Sequence, residues 1–232
     1  MSGYPPMPIE SGKSVEHLKP GLWSLSPAKR AFDLIVASFC FLLIIPIMGM
    51  IAMLVKCTSR GPVLYRQSRN GRFGSTFKLL KFRTMRAVPG PLLTRAGDAR
   101  VTRIGRLLRQ TKLDELPQLM NVIRGDMRLV GPRPDLPEFW STVSGQYPEI
   151  LYLRPGITGQ ASLVFRDEER LLGQVREEKL GDFYVSTLLP EKVRLDLEYA
   201  SSATLLSDWR LICSTALSMW RPAERTPLVS LP

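Results

Sequence analysis

From Leu34 to Val55 the chain reads LIVASFCFLLIIPIMGMIAMLV, without one charged side chain. As a straight helix such a run reaches about 33 Å, close to the hydrocarbon core of a bilayer. A core helix of a soluble protein is seldom apolar on every side, so a membrane element is the stronger reading. It is not a convincing secretory signal, because the polar leader is long and no small-residue cleavage site follows. Basic residues flank both ends: Lys29 and Arg30 before it, then Lys56, Arg60, Arg66, Arg69 and Arg72 after it. Positive charge favours the cytoplasmic side, so both ends are drawn to the same face. Pro46, near the middle, removes a backbone donor that a regular helix uses. A bend there leaves arms of about 18 Å and 14 Å, each reaching mid-bilayer and able to return. The expectation is a re-entrant helix-break-helix, with a spanning helix as the alternative.

After Ser59 the pattern changes to alternation. Ser59 to Pro62 is turn chemistry, Val63 to Gln67 is a strand candidate, and Asn70-Gly71 and Phe73-Gly74 mark a second turn. Phe77 to Met85 is again strand-like. The prediction is a small β-hairpin that holds Arg66, Lys78, Lys81 and Arg83 near the membrane surface, for docking on anionic headgroups or guiding a phosphate. From Arg100 to Arg109 the apolar residues Ile104, Leu107 and Leu108 recur at helical spacing with arginines opposite, which predicts an amphipathic interfacial helix. Pro117 belongs in the first turn of the next helix and Gly125 at its end. That places Asp114 and Glu115 at the positive end of a helix dipole, where anions are favoured; simple capping by Asp114 is the plain alternative.

Composition narrows the chemistry. The 232 residues carry a formal charge of +11, which asks for a polyanionic partner: nucleic acid, an anionic membrane face or phosphorylated substrates. No helix-turn-helix pattern accompanies the basic segments, and the apolar run argues against a genome-reading role. Cys40, Cys57 and Cys213 lack metal-type spacing and read as free thiols in a reducing compartment. The one histidine, His17, lies in the leader, which disfavours Ser-His-Asp, Cys-His and multi-His zinc chemistry. Carboxylates, arginines, lysines and a hard metal such as Mg²⁺ are left. Arg133 stands rigidly between Pro132 and Pro134, offering a planar fork to phosphate oxygens. Arg154 opens a loop, through Gly156 and Gly159, that lets backbone approach a ligand.

Six strings occur in order: Lys29-Arg30-Ala31-Phe32-Asp33, Gly61-Pro62-Val63, Lys81-Phe82-Arg83-Thr84-Met85, Leu113-Asp114-Glu115-Leu116-Pro117-Gln118, Gly131-Pro132-Arg133-Pro134 and Arg154-Pro155-Gly156-Ile157-Thr158-Gly159. Together they resemble the bacterial sugar transferases, the monotopic polyprenyl-phosphate phosphoglycosyl transferases, over about Ala28 to Ile212. The resemblance implies an α/β fold, α-rich with a small β-hairpin, on a monotopic membrane protein. Its divisions are a flexible leader (1–28), a re-entrant membrane helix (29–58), a catalytic domain on the cytoplasmic face (59–220) and a tail (221–232). By the same resemblance Asp114 is the nucleophile on a UDP-sugar, Glu115 helps to hold Mg²⁺ with Asp114 beside it, and Arg109 and Arg133 take substrate phosphates. Lys81, Arg83 and Arg154 join them as candidate phosphate contacts. Polyprenyl phosphate is the acceptor, anionic lipids are partners, and a second copy of the chain is left open as another.

A carboxylate at a helix start is expected to stay ionised, needing no partner base. Ile45 replaces the serine common before the bend proline, and Lys112 replaces a serine common beside the dyad. The charge-rich stretch Phe165 to Glu191 reads as a solvated helical excursion, with a cover over the sugar pocket as the other option. A non-catalytic membrane adaptor is the competing function.

Overall fold

The computed structural model describes residues 18–86, 88–90 and 93–218. His17, most of the expected leader and the expected tail 221–232 lie outside the described residues. A short helix α1 (Leu22–Leu25) leads into α2 (Pro27–Thr58). Ser26 starts α2 by accepting the Lys29 amide at 3.0 Å, and Pro27 follows at the first helical position. The expected break is not seen: α2 runs without interruption through Pro46. The proline costs the helix one bond there, and flanking turns on both sides carry it through.

One stripe of α2 is packed. Ala37, Ile51 and Val55 are buried, and Cys40, Phe41, Ile44, Met48 and Ala52 are partly covered by the same two clusters. The opposite side exposes Ile35, Phe39, Leu42, Leu43, Met50 and Met53. This is the one helix among the described residues long and apolar enough to cross a membrane.

The predicted hairpin forms from β1 (Leu64–Asn70) and β2 (Thr76–Phe82), antiparallel with Tyr65 opposite Lys81 and Ser68 opposite Lys78. Its turn places Phe73 and Gly74 at positive φ, 57° and 72°. Helix α3 (Arg103–Gln110) begins where Thr102 Oγ1 accepts the Gly105 amide at 2.9 Å. Leu108 is buried on the body while Leu107 faces outward. Helix α4 (Gln118–Arg124) stops at Gly125, whose φ of 94° matches the predicted end.

Beyond it β3 (Arg128–Val130) pairs in parallel with β4 (Gly156–Thr158), Arg128 opposite Gly156 and Val130 opposite Thr158. The strands converge so closely that a Cβ on Gly156 would stand 2.2 Å from the Gly131 nitrogen. Between them lies α5 (Pro137–Ser144). After β4 come α6 (Gln160–Val164), α7 (Glu168–Leu172), α8 (Leu180–Phe183), a π-turn, α9 (Leu189–Ser202) and α10 (Leu205–Ser218).

The stretch Phe165 to Glu191 is not a solvated excursion. Phe165, Leu171, Leu172, Val175, Leu180, Phe183, Tyr184, Leu188 and Leu189 belong to the largest buried cluster, with Trp140 and Leu197. Its charges hid this: Glu168 turns inward to Lys192 at 3.1 Å, and the apolar residues between the charges face the core.

Candidate active site

Three elements meet at the carboxylate pair. Asp114 and Glu115 lie in a 3-10 turn, Leu113–Glu115, between α3 and α4. The turn is set by Lys112, which adopts a left-handed conformation (φ 55°, ψ 13°) uncommon outside glycine. Its amide donates to the Arg109 carbonyl at 3.2 Å and its own carbonyl accepts the Glu115 amide at 3.1 Å. The chain thereby reverses and turns both carboxylates inward. Asp114 is 6% exposed and Glu115 8%.

Glu115 is gripped from two sides. Arg133 Nη2 donates to its Oε1 at 2.6 Å and Nη1 to Oε2 at 3.5 Å, while Lys81 Nζ, from β2, reaches Oε1 at 3.2 Å. Burial works to raise the Glu115 carboxyl, but Arg133, then Lys81 and Lys112, outweigh it and hold it well below the usual carboxylate range. Arg133 is correspondingly raised, mainly by Glu115. Lys81 is lowered, by burial first, with Glu115 resisting.

Asp114 differs from its neighbour. Its Oδ1 is buried and accepts no hydrogen bond. Burial raises its pKa, opposed chiefly by Lys81 and assisted by Glu115. The expected stabilisation by a helix end is therefore not the governing force; desolvation is, and Lys81 is the counterweight. Nor is Asp114 a helix cap, since the cap position of α4 is Pro117 and no side chain bonds there. An acceptor buried without a donor is costly and is found chiefly where a ligand supplies the missing partner.

Asn121 joins the hairpin to this helix. Fully buried in α4, its Oδ1 accepts the Leu80 amide at 3.1 Å and its Nδ2 donates to the Lys78 carbonyl at 2.9 Å. The carboxamide so occupies the open edge of β2 and sets Lys81 against Glu115. A second buried carboxylate, Asp196 on α9, accepts the Ala161 amide at 2.9 Å, and the backbone amides of Arg133 and Gln160 favour its charge. A network of Arg69, Asp135, Tyr184, Lys192 and Glu168 closes round the following segment: Tyr184 donates to Asp135, and Lys192 donates to Tyr184 at 3.2 Å.

Of the residues singled out from sequence, Asp114, Glu115, Lys81 and Arg133 come together. Arg109 does not touch the pair; it forms an ion pair with Glu169 of α7, although Asp114 feels its charge. Arg83 is elsewhere altogether. Its Nη2 donates to the Ser59 carbonyl at 2.6 Å and to Ser59 Oγ at 2.7 Å, capping the end of α2. A buried cation suits the negative end of that helix, while Nε and Nη1 of the same guanidinium are buried without a hydrogen-bond partner. Arg154 lies in a separate cleft with Arg128. Asn121, Asp196, Lys112 and Glu169 went unmarked as site residues. The first two had a signal, a polar residue amid core-facing apolar ones (Leu119 and Val122; Leu195 and Leu197), but nothing local to say what it bonds.

The leading motif also proves to be anchorage. Lys29 pairs with Asp208 of α10, Arg30 donates to the Val122 and Ile123 carbonyls at 2.5 and 3.0 Å, and Asp33 accepts the Leu129 amide at 3.4 Å.

The donor set suits Mg²⁺ in one manner. Among the described residues no cluster of three or more metal-type side chains exists. Mg²⁺ commonly takes one or two carboxylates and completes its shell with water and substrate phosphate. The unpartnered Asp114 Oδ1 and the loosely held Glu115 Oε2 fit that pattern.

A family profile described as bacterial sugar transferase matches residues 24–222. The UDP-glucose:undecaprenyl-phosphate glucose-1-phosphate transferase of Caulobacter vibrioides is 36% identical over 224 residues, 91% of this chain and 79% of that protein. The protein of the same description from Escherichia coli K12 is 35% identical over 81% of this chain, which covers 39% of its length. The exopolysaccharide production protein PSS of Rhizobium leguminosarum is 35% identical over 82% of this chain and 94% of its own. The chain thus spans most of some relatives and well under half of others.

Proposed function

From the premise that this chain belongs to the bacterial sugar transferase family, and is an enzyme, we propose that it transfers a sugar 1-phosphate from a UDP-sugar to undecaprenyl phosphate. The observation that carries the proposal is the contrast within the pair: Glu115 Oε1 is held by two cations, while Asp114 keeps a buried oxygen without a donor.

Asp114 attacks the β-phosphorus of the donor. A phosphorus–oxygen bond forms to the carboxylate, the bond to the bridging oxygen breaks, and that oxygen leaves with its electron pair as UMP. An oxygen of the lipid phosphate then attacks the aspartyl phosphosugar, freeing the carboxylate and yielding the lipid diphosphosugar. Neither step needs a histidine or a partner base. Arg133 and Lys81 hold Glu115 anionic and beside Asp114, and they spread positive charge where the diphosphate must approach. Glu115 and Asp114 would hold Mg²⁺, which would supply charge neutralisation on the phosphate oxygens. Arg109 reaches substrate only by leaving Glu169.

The placement of α2 supports a re-entrant or surface-lying helix over a spanning one. Lys29 and Asp33 at its start, and Val55 and Ser59 at its end, all bind one folded body. A spanning helix separates its ends by the full bilayer, about 40 Å or more with headgroups. Both ends therefore belong on one side, and the basic flanks select the cytoplasmic face of the inner membrane.

The test is a panel of UDP-sugars with undecaprenyl phosphate and Mg²⁺, scored for UMP release, with intact-protein mass spectrometry for a sugar-phosphate adduct. The adduct is expected on Asp114 and absent from Asp114→Asn. Full turnover by that variant would end the covalent scheme. Lipid binding without UMP release from any donor would return the chain to the adaptor reading.

A further inference from the structure

A chain of largely buried polar side chains leads from α7 and α9 to the segment that carries Arg133. Lys192 Nζ donates to Glu168 Oε1 and Oε2 at 3.2 and 3.1 Å and to the Tyr184 hydroxyl at 3.2 Å. Tyr184 donates in turn to Asp135. Asp135, Tyr184 and Lys192 are buried. Burial first, and then Asp135 and Glu168, push the Tyr184 hydroxyl well above its usual range, so it stays protonated and remains a donor. Replacing such a buried ionic chain by apolar side chains of similar size is often neutral or stabilising, so stability does not account for it.

The backbone is shaped to build this chain. The helical run from α8 to α9 is widened by the π-turn that starts at Tyr184. In a regular α-helix, residues eight apart, such as Tyr184 and Lys192, point about 80° away from each other. The extra residue of a π-turn brings them to within about 20°. Lys192 Nζ accordingly stands 5.3 Å from the centre of the Tyr184 ring as well as against its hydroxyl. Phe139 packs on the same ring, with 5.1 Å between ring centres. Such turns are rare and gather at functional sites.

The chain ends where it can act on Arg133. Asp135 lies two residues further on, and Pro134 stiffens the link between them. The Asp135 carbonyl accepts the Asn70 amide at 3.2 Å, and its Oδ1 accepts the Leu136 amide at 2.8 Å, which leaves Oδ2 to Tyr184. At the other end Glu168, after Glu115, favours the charge on Arg133. The Arg133 fork meets Glu115 unevenly, at 2.6 and 3.5 Å, and any outward displacement breaks the longer contact.

We propose, on the transfer reading given above, that Tyr184 is a positioning residue for the reaction. Through Asp135 it sets the place of the Arg133 fork on Glu115, while Lys192 and Glu168 fix the tyrosine hydroxyl. None of the three needs to touch substrate.

Steady-state UMP release by the full chain, with melting curves to set the folded fraction, tests this in a double-mutant cycle. Tyr184→Phe keeps the ring and loses the hydroxyl. Its kcat is expected to fall about tenfold, less than for a group displaced by a whole ångström. In the Arg133→Lys background the same change is expected to lower kcat by less than about twofold, because the fork it places is already gone. Lys192→Met keeps the packing on the Tyr184 ring and loses the donor; the same pattern is expected there, so the cycle stands if Tyr184→Phe folds poorly. Tyr199→Phe loses a comparable bond, to Asp208 at 2.7 Å, in another network, and is expected to melt earlier with kcat unchanged. Unchanged kcat in folded Tyr184→Phe would overturn the proposal. So would a further tenfold loss, or about that, in the Arg133→Lys background, or an equal loss in Tyr199→Phe. Absence of UMP release by the wild type from every UDP-sugar would instead remove the transfer reading, and this role with it.

Discussion

The Asn121 side chain serves as a third strand for Leu80, taking its amide at 3.1 Å and returning a donor to the Lys78 carbonyl at 2.9 Å. One carboxamide thus holds the dyad's helix against the strand that supplies Lys81. Asn121→Ala leaves two backbone groups unpaired, each costing about 1–3 kcal/mol. A lower melting temperature is expected, with activity lost in parallel. Asn121→Asp should be worse than Ala in melting experiments, because it cannot donate to Lys78 and sets a second carboxylate against Asp126.

Arg133→Lys separates charge from shape. Lysine keeps the cation but not the fork that meets both oxygens of Glu115. Steady-state kinetics should show kcat falling by about a hundredfold, the scale of a misplaced catalytic group. Unchanged kcat would mean that Lys81 alone suffices to orient Glu115.

Arg83→Gln should behave quite differently. Its Nη2 is bound to Ser59, so the variant is expected to melt earlier, by about 1–3 kcal/mol, with KM for the donor unchanged. A raised KM with unaltered melting would place Arg83 on substrate instead.

Glu169 restrains Arg109 through a half-exposed ion pair, worth about 1 kcal/mol or less. Glu169→Gln releases the arginine. If Arg109 serves the donor phosphates, KM for the UDP-sugar should drop by up to about fivefold, within that energy; a rise in KM would show that the pair orders the site.

Burial pushes Asp196 up to about 7, against the backbone amides and Lys192 that favour its charge. An acid raised on folding is protonated in the native state at pH values where the unfolded chain is ionised. Its contribution therefore falls as pH rises from about 4, the unfolded value, to about 7. Asp196→Asn mimics the protonated form. Its melting temperature relative to wild type should rise between pH 5 and pH 8, and a flat difference would remove Asp196 from the pH response.

Much was legible in the residues themselves. The apolar run, the hairpin about Asn70 to Gly74, the amphipathic helix of Ile104, Leu107 and Leu108, and the stop at Gly125 are local matters of periodicity and turn chemistry. The carboxylate pair was also visible, as a motif at a helix start. The continuity of α2 through Pro46 was not, because a proline's local penalty says nothing of the neighbours that absorb it. Nor was the buried stretch from Phe165 to Glu191, where alternate charges masked core positions.

Sequence by itself determined the long apolar helix, the hairpin and helices α3 and α4, since those follow from contacts a few residues apart. Only the tertiary structure decided which cation meets which carboxylate. Arg83, Arg109, Arg133 and Arg154 have the same reach and charge, yet they go to Ser59, Glu169, Glu115 and an open cleft. A guanidinium's partner is set by what packing brings within about 3 Å of it, and that depends on segments distant along the chain.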